Sequence, residues 1–173
     1  MDFNYWCRAS YFDASALVKL VADDPSEEQG RDTLRKYYWS HTASVYATPY
    51  CVSETFSVFK RMFVRAEINE ERYIKYVQTF IRQFLGTNLR QDQMSVLSPV
   101  VFSETERLVK AHKIDFVDCL QIVTIMHGQF HILGPNSQSI LITADEGLAK
   151  AARFEGARVW NCRTEPSPGL EAA

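Results

Sequence analysis

The sequence is short of paired cysteines, patterned histidines and net charge, and each shortage closes off a class of function. Its four cysteines, Cys7, Cys51, Cys119 and Cys162, lie far apart, with no CxxC pair and no histidine at zinc-finger spacing. That excludes a zinc finger and offers no disulfide framework, so the four are read as reduced thiols. His41, His112, His127 and His131 follow no pattern, and a histidine catalytic base is not expected among them. The opening MDFNYWCR has an acid at position 2 and no long apolar run. It resembles neither a secretory signal nor a membrane span, and cytoplasmic residence without membrane association is the expectation. The formal charge is −2, from 19 basic and 21 acidic residues, which is not the footprint of a protein that coats nucleic acid. A polyanion would have to be held locally, by an acidic, metal-bound site with a few basic neighbours. There is no repeat at solenoid period and no low-complexity segment.

A chain of 173 residues suits one domain that buries roughly two-thirds of its unfolded surface. Two of its segments share a design. YFDASALVKL, residues 11–20, and ILITADEGLAKAAR, residues 140–153, each run from a short apolar stretch to an aspartate and then directly into a helix. Two carboxylates, Asp13 and Asp145, are thereby expected at carboxyl ends of strands. In an open parallel sheet that edge binds ligands, at the point where strand order reverses.

The remaining pattern predicts strands over 8–13, 44–49, 94–99, 140–144 and 157–160. Helices are expected over 15–22, from Pro25 to about Tyr38, and over 52–66, 70–85, 100–112, 116–129 and 146–155. Pro25 suits a first helical turn, and Ser26, Glu27 and Glu28 favour that helix's amino end. Residues 86–93 read as a polar loop and GPNSQS, 134–139, as a turn. Strands alternating with helices favour an α/β fold with a parallel sheet.

Four segments thus carry an acid where a packed position would be expected: Asp13, Glu54 in the phenylalanine-rich helix, Asp118 at the start of an apolar helix, and Asp145. No histidine or cysteine accompanies them at regular spacing, so the set points to Mg²⁺ or Mn²⁺ rather than zinc. Each acid also has a plain structural alternative. Asp13 and Asp145 suit helix N-caps, Glu54 suits a solvated helix face, and Asp118 or Asp115 suits a first turn facing the helix dipole. Ser15 and Thr143 either orient a water in the site or cap backbone. Lys19, Lys60, Arg61 and Arg65 either contact phosphates or lie on solvated faces. Tyr37, Tyr38, Trp39, Phe56, Phe59 and Phe63 read first as core, with an interface as the alternative.

These residues carry a resemblance. YFDASALVKL, TPYCVSETFSVFKR, KIDFVDCLQI and LITADEGLAKAA are similar, in order, to the four motifs of the PIN-domain nucleases, most closely the VapC type of toxin ribonuclease. The resemblance spans residues 11–152. It implies a PIN-like three-layer fold over 1–162, a central parallel sheet flanked by helices on both faces, with 163–173 a flexible tail. It also implies that Asp13, Glu54, Asp118 and Asp145 are the catalytic and metal-binding acids, with Ser15, Thr143 and Asp115 as possible supports. An RNA substrate, a cognate antitoxin protein and a homodimer are the implied partners. The alternatives are a housekeeping PIN nuclease, a catalytically silent PIN module that binds RNA or protein, and an aspartate-based phosphotransferase. Ser15, standing where that last class would need a second aspartate, weighs against it.

Overall fold

The computed structural model describes residues 9–23, 29–40, 44–129 and 139–168. Five parallel strands form one sheet: β1 (Ala9–Phe12), β2 (Ser44–Ala47), β3 (Leu89–Gln91), β4 (Ile140–Thr143) and β5 (Val159–Asn161). Their order across the sheet is β3-β2-β1-β4-β5. The chain therefore builds outward from β1 in one direction, then returns to add β4 on its other side. The reversal lies between β1 and β4, whose register pairs Phe12 with Ile142.

Each strand alternates its side chains between two cores. Phe12, Ile140 and Ile142 face one, and Tyr11, Tyr46 and Leu141 face the other. The central strands are apolar throughout because both faces are covered, as parallel sheets require. The first core is closed by α1 (Ala14–Val21), α2 (Arg31–Ser40), α3 (Pro49–Val64), α4 (Glu70–Thr79) and a π-helical continuation of α4, Phe80–Leu85. The second is closed by α5 (Pro99–His112), α6 (Phe116–His127) and α7 (Glu146–Phe154). This is the expected three-layer α/β arrangement. No helix among the described residues is long and apolar enough to cross a membrane.

Three expectations need correction or restriction. Residues 94–99 form no strand; β3 instead falls inside the stretch 86–93 read as a loop. β3 is an edge strand in which only Leu89 is buried while Arg90 and Gln91 are exposed, so backbone pairing with β2 holds it and no apolar pattern is needed. Leu97, the apolar centre of the misread run, is 89% exposed, and Ser98 and Pro99 open α5. The proposed helix start at Pro25 to Glu28 and most of the turn at 134–139 lie outside the described residues, as does Cys7. Cys51, Cys119 and Cys162 are buried.

The carboxyl-terminal stretch is held further along than a loose tail from Arg163 would allow. Glu165 receives Arg153 at 2.6 Å and the Asn161 amide at 3.0 Å, and its carbonyl accepts the Trp160 indole at 3.1 Å. Trp160 in turn packs on Tyr37 with ring centroids 4.9 Å apart. Truncation after Cys162 should therefore lower stability by about 1–3 kcal/mol. Urea denaturation of the shortened chain checks this, and an unchanged midpoint would show that the Glu165 contacts contribute nothing.

Candidate active site

Asp13 follows β1 directly and serves as the N-cap of α1, its Oδ1 accepting the Ala16 amide at 2.7 Å. The structural alternative and the functional one therefore coexist in this residue. Its carboxylate also receives the Ser15 hydroxyl, at 2.9 and 2.8 Å to its two oxygens, and the Thr143 hydroxyl at 2.7 Å. A carboxylate has roughly four lone-pair sites, so these donors orient Asp13 and leave room for about one more partner. Burial pushes its carboxyl up to about 6, against the three donors that favour the charged form; the neighbouring charge of Asp145 adds to the rise. In a residue 4% exposed, a cation nearby would favour the charged form further.

Asp145 repeats the arrangement on β4. It caps α7 by accepting the Leu148 amide at 2.8 Å, and its own amide donates to the Thr143 hydroxyl at 2.9 Å. The Ala144 amide donates to the Ser15 hydroxyl at 2.8 Å. Ser15 and Thr143 thus each bond Asp13 with one side and the β4–α7 backbone with the other. The two hydroxyls stitch the strand ends together across the switch point, which locks the Asp13 rotamer.

Glu54 and Asp118 approach from helices on opposite faces of the sheet. Glu54 lies in the second turn of α3 and is half-buried, its carboxyl raised chiefly by burial, opposed by Arg61 and reinforced by Asp115 and Asp145. Asp118 lies in the first turn of α6. Its carboxyl is pushed up to about 7 by burial, then by the charges of Asp13, Glu54, Asp145 and Asp115. Every one of the four expected acids is within electrostatic reach of another, and Asp118 feels all the rest. Among the described residues, no three His, Cys, Asp or Glu side chains are grouped closely enough to grip one ion. The acids share a negative field rather than forming a tight cage. That donor set suits a hard divalent cation such as Mg²⁺, which keeps several waters and takes only one or two carboxylates directly.

Asp115 occupies the N-cap of α6 but makes no capping bond with its side chain; it is exposed, and its charge helps raise the carboxyls of Asp118 and Glu54. The basic residues divide. Lys60, Arg61 and Arg65 are exposed along α3, with Arg61 close enough to act on Glu54 and Arg65 3.9 Å from Glu67. Lys19 is buried, 1% exposed, and engaged inside the fold. It does not stand at the surface as a phosphate contact, because α1 is enclosed on almost every side.

One part of the site has no counterpart in the sequence reading. Beneath the acids, the Thr48 hydroxyl donates to the Cys51 thiol at 3.1 Å, and the thiol hydrogen-bonds the Gln121 side-chain oxygen. Burial pushes the Cys51 thiol up to about 12, and the charges of Asp13, Glu54 and Asp118 add to the effect, so it remains a neutral donor. The available signal was Gln121 itself, an amide side chain inside the apolar run CLQIV.

The PIN domain family model matches residues 10–154. The chain belongs to the PIN family. PIN domains are generally nucleases that use divalent metals. Among solved structures, the crystal structure of PAE2754 from Pyrobaculum aerophilum is similar, with a TM-score of 0.57 and 13% identity. The match covers 88% of this chain and 90% of that one, a likeness of fold alone. Comparison with curated proteins found no match. Within the PIN frame, Asp13 and Asp145 follow β1 and β4 and flank the switch point, with Glu54 and Asp118 near enough to share their field.

Proposed function

We propose that this PIN domain is a Mg²⁺- or Mn²⁺-dependent endoribonuclease, and that it acts as the VapC-type toxin of a toxin-antitoxin pair. The observation that carries the nuclease reading is the set of four mutually repelling carboxylates at the switch point, two of them raised to about 6 and about 7. Asp13, Glu54, Asp118 and Asp145 would hold the cation, directly or through water. When bound, such a cation lowers the pKa of a water and stabilises charge on a phosphoryl oxygen. The residues of the chain do the rest. Ser15 and Thr143 fix Asp13, and the caps on α1 and α7 fix the backbone beneath both strand-end acids. Arg61, with Lys60 and Arg65, offers positive charge along α3 for the RNA backbone, which the acids alone would repel.

Exposed apolar side chains support the partner part of the reading. Trp39, Phe63, Val64, Ile74 and Ile81 lie exposed on α2, α3, α4 and its continuation, and Leu97, Val100 and Phe102 at the start of α5. Exposed apolar surface of this kind suits a homodimer contact and a groove for a helical antitoxin segment. A basic antitoxin side chain reaching the acids would pair with a carboxylate and so block the cation.

Expression of the chain alone should arrest bacterial growth, and co-expression with its cognate antitoxin or the Asp145→Asn substitution should relieve the arrest. Light scattering at micromolar concentration should give a dimer. Harmless expression of the intact protein would remove the toxin role and leave a housekeeping PIN nuclease, while a monomer would remove the dimer.

A further inference from the structure

Glu54 and Asp118 belong to helices that line different cores, α3 chiefly the first and α6 the second, although Tyr50 of α3 also packs against the second. α3 packs mainly on α1 and α4, and α6 mainly on α5, with the sheet between them. One buried bond joins the two helices directly, the Cys51 thiol to the Gln121 side-chain oxygen. Cys51 stands three residues before Glu54 on α3, and Gln121 three residues after Asp118 on α6. Residues at that spacing are neighbours on one helix face, so the bond lies one helical turn below each acid.

The surroundings make this contact a specific one. Cys51 is 2% exposed and Gln121 wholly buried. Thr48, at the end of β2, accepts the Cys51 amide at 3.1 Å and donates to its thiol. The chain Thr48, Cys51, Gln121 thus runs from the sheet through α3 to α6. Gln121 leaves its amide nitrogen buried without a hydrogen-bond partner, a desolvation penalty that an apolar side chain would avoid. Packing does not account for an amide here; a polar tie between the helices does.

We propose that the Cys51–Gln121 hydrogen bond is a clasp that sets the gap between Glu54 and Asp118 for a divalent cation, a positioning role that rests on the nuclease reading above. Neither residue need touch the cation or RNA. Cys51→Ala and Gln121→Leu each break the clasp, and Cys51→Ser keeps a donor. Thr124→Val serves as the comparison, because Thr124 is buried on the same helix and, among the described residues, its hydroxyl bonds within its own helix, at Leu120.

The experiment is Mn²⁺ titration by calorimetry, with melting temperatures and metal-free hydrogen exchange measured on the same proteins. Cys51→Ala and Gln121→Leu should each weaken Mn²⁺ binding about tenfold. The double variant should be no weaker than the worse single, because both remove one bond. Cys51→Ser should recover part of the affinity, and Thr124→Val should bind Mn²⁺ normally even where its melting temperature falls. Without metal, each clasp variant should speed exchange in the first turns of both α3 and α6. Wild-type affinity in folded Cys51→Ala, additive losses in the double variant, or exchange that rises only in the substituted helix would each overturn the clasp. A wild type that binds no Mn²⁺ would instead overturn the nuclease reading, and the exchange data would then decide by themselves whether the bond couples the helices.

Discussion

Asp145→Asn should reduce RNA cleavage by roughly 10²–10⁴-fold with little change in melting temperature. Asparagine keeps the side-chain volume and is as good an N-cap as aspartate, so the bond from the Leu148 amide and the start of α7 survive. Only the charge offered to the cation is lost. Asp13→Asn should lose as much activity, but with a structural change as well. Its amide nitrogen cannot accept the hydroxyls of Ser15 and Thr143 that now converge on both carboxylate oxygens. Excess chelator should inactivate the wild type to the same level as either substitution. Gel assays on a susceptible RNA with both variants and EDTA make the comparison. Cleavage that survives all three would point to a contaminating nuclease or to chemistry that does not use these acids.

Asp118→Asn should make the metal-free protein more stable at pH 8, by about 1–2 kcal/mol after allowance for solvent screening of a partly exposed group. In the wild type, burial and like charge push the Asp118 carboxyl up to about 7, and burial pushes that of Asp13 up to about 6, against 3.8 for an unperturbed aspartate. Between pH 4 and 7 these two acids therefore bind more protons in the folded state than in the unfolded state, and their contribution to stability falls as pH rises through that window. Removing the Asp118 carboxylate removes its share of the fall. The advantage of the variant should be greatest above pH 7 and vanish below about pH 4, where the carboxyl is protonated in both states. Asp23, Glu104 and Glu155 act in the opposite sense, held below the usual range chiefly by Lys75 for the first and Arg107 for the other two. The difference between variant and wild type is accordingly the quantity to follow, by urea denaturation in EDTA across pH. A difference independent of pH would mean that Asp118 does not carry the repulsion assigned to it. A cation should act in the same direction as the substitution. Mn²⁺ competes with protons for these acids, so its stabilisation of the wild type should grow from pH 5.5 to pH 8.

What could be read from the sequence was local. Asp13 and Asp145 were legible because each ends an apolar strand and opens a helix, a pattern carried by neighbouring residues whose backbone geometry the sequence specifies directly. Glu54 and Asp118 stood out through the motif resemblance, since their helix positions alone also suited solvated or first-turn acids, while the alternation of strands and helices pointed to a parallel sheet. β3 was not legible, because an edge strand is held by backbone bonds from β2 and leaves no apolar signature. Leu97 misled for the converse reason, since hydrophobicity alone does not say whether a side chain finds a core to enter. By sequence Lys19 suited either a phosphate contact or a solvated helix face, and the packing of α1 encloses it instead.

Only the tertiary structure decided what the acids do to one another. The reversal of strand order between β1 and β4 joins residues 130 apart in sequence, so that Thr143 can bond Asp13. Helices on opposite faces bring Glu54 and Asp118 near enough to share a field, and burial and like charge lift the carboxyl of Asp118 to about 7. The Cys51–Gln121 contact is likewise a product of that convergence. Sequence determines which groups stand at the ends of elements, through short-range backbone preference and periodicity. Their separations, burial and mutual fields depend on long-range topology, and those set their charge state and hence their chemistry.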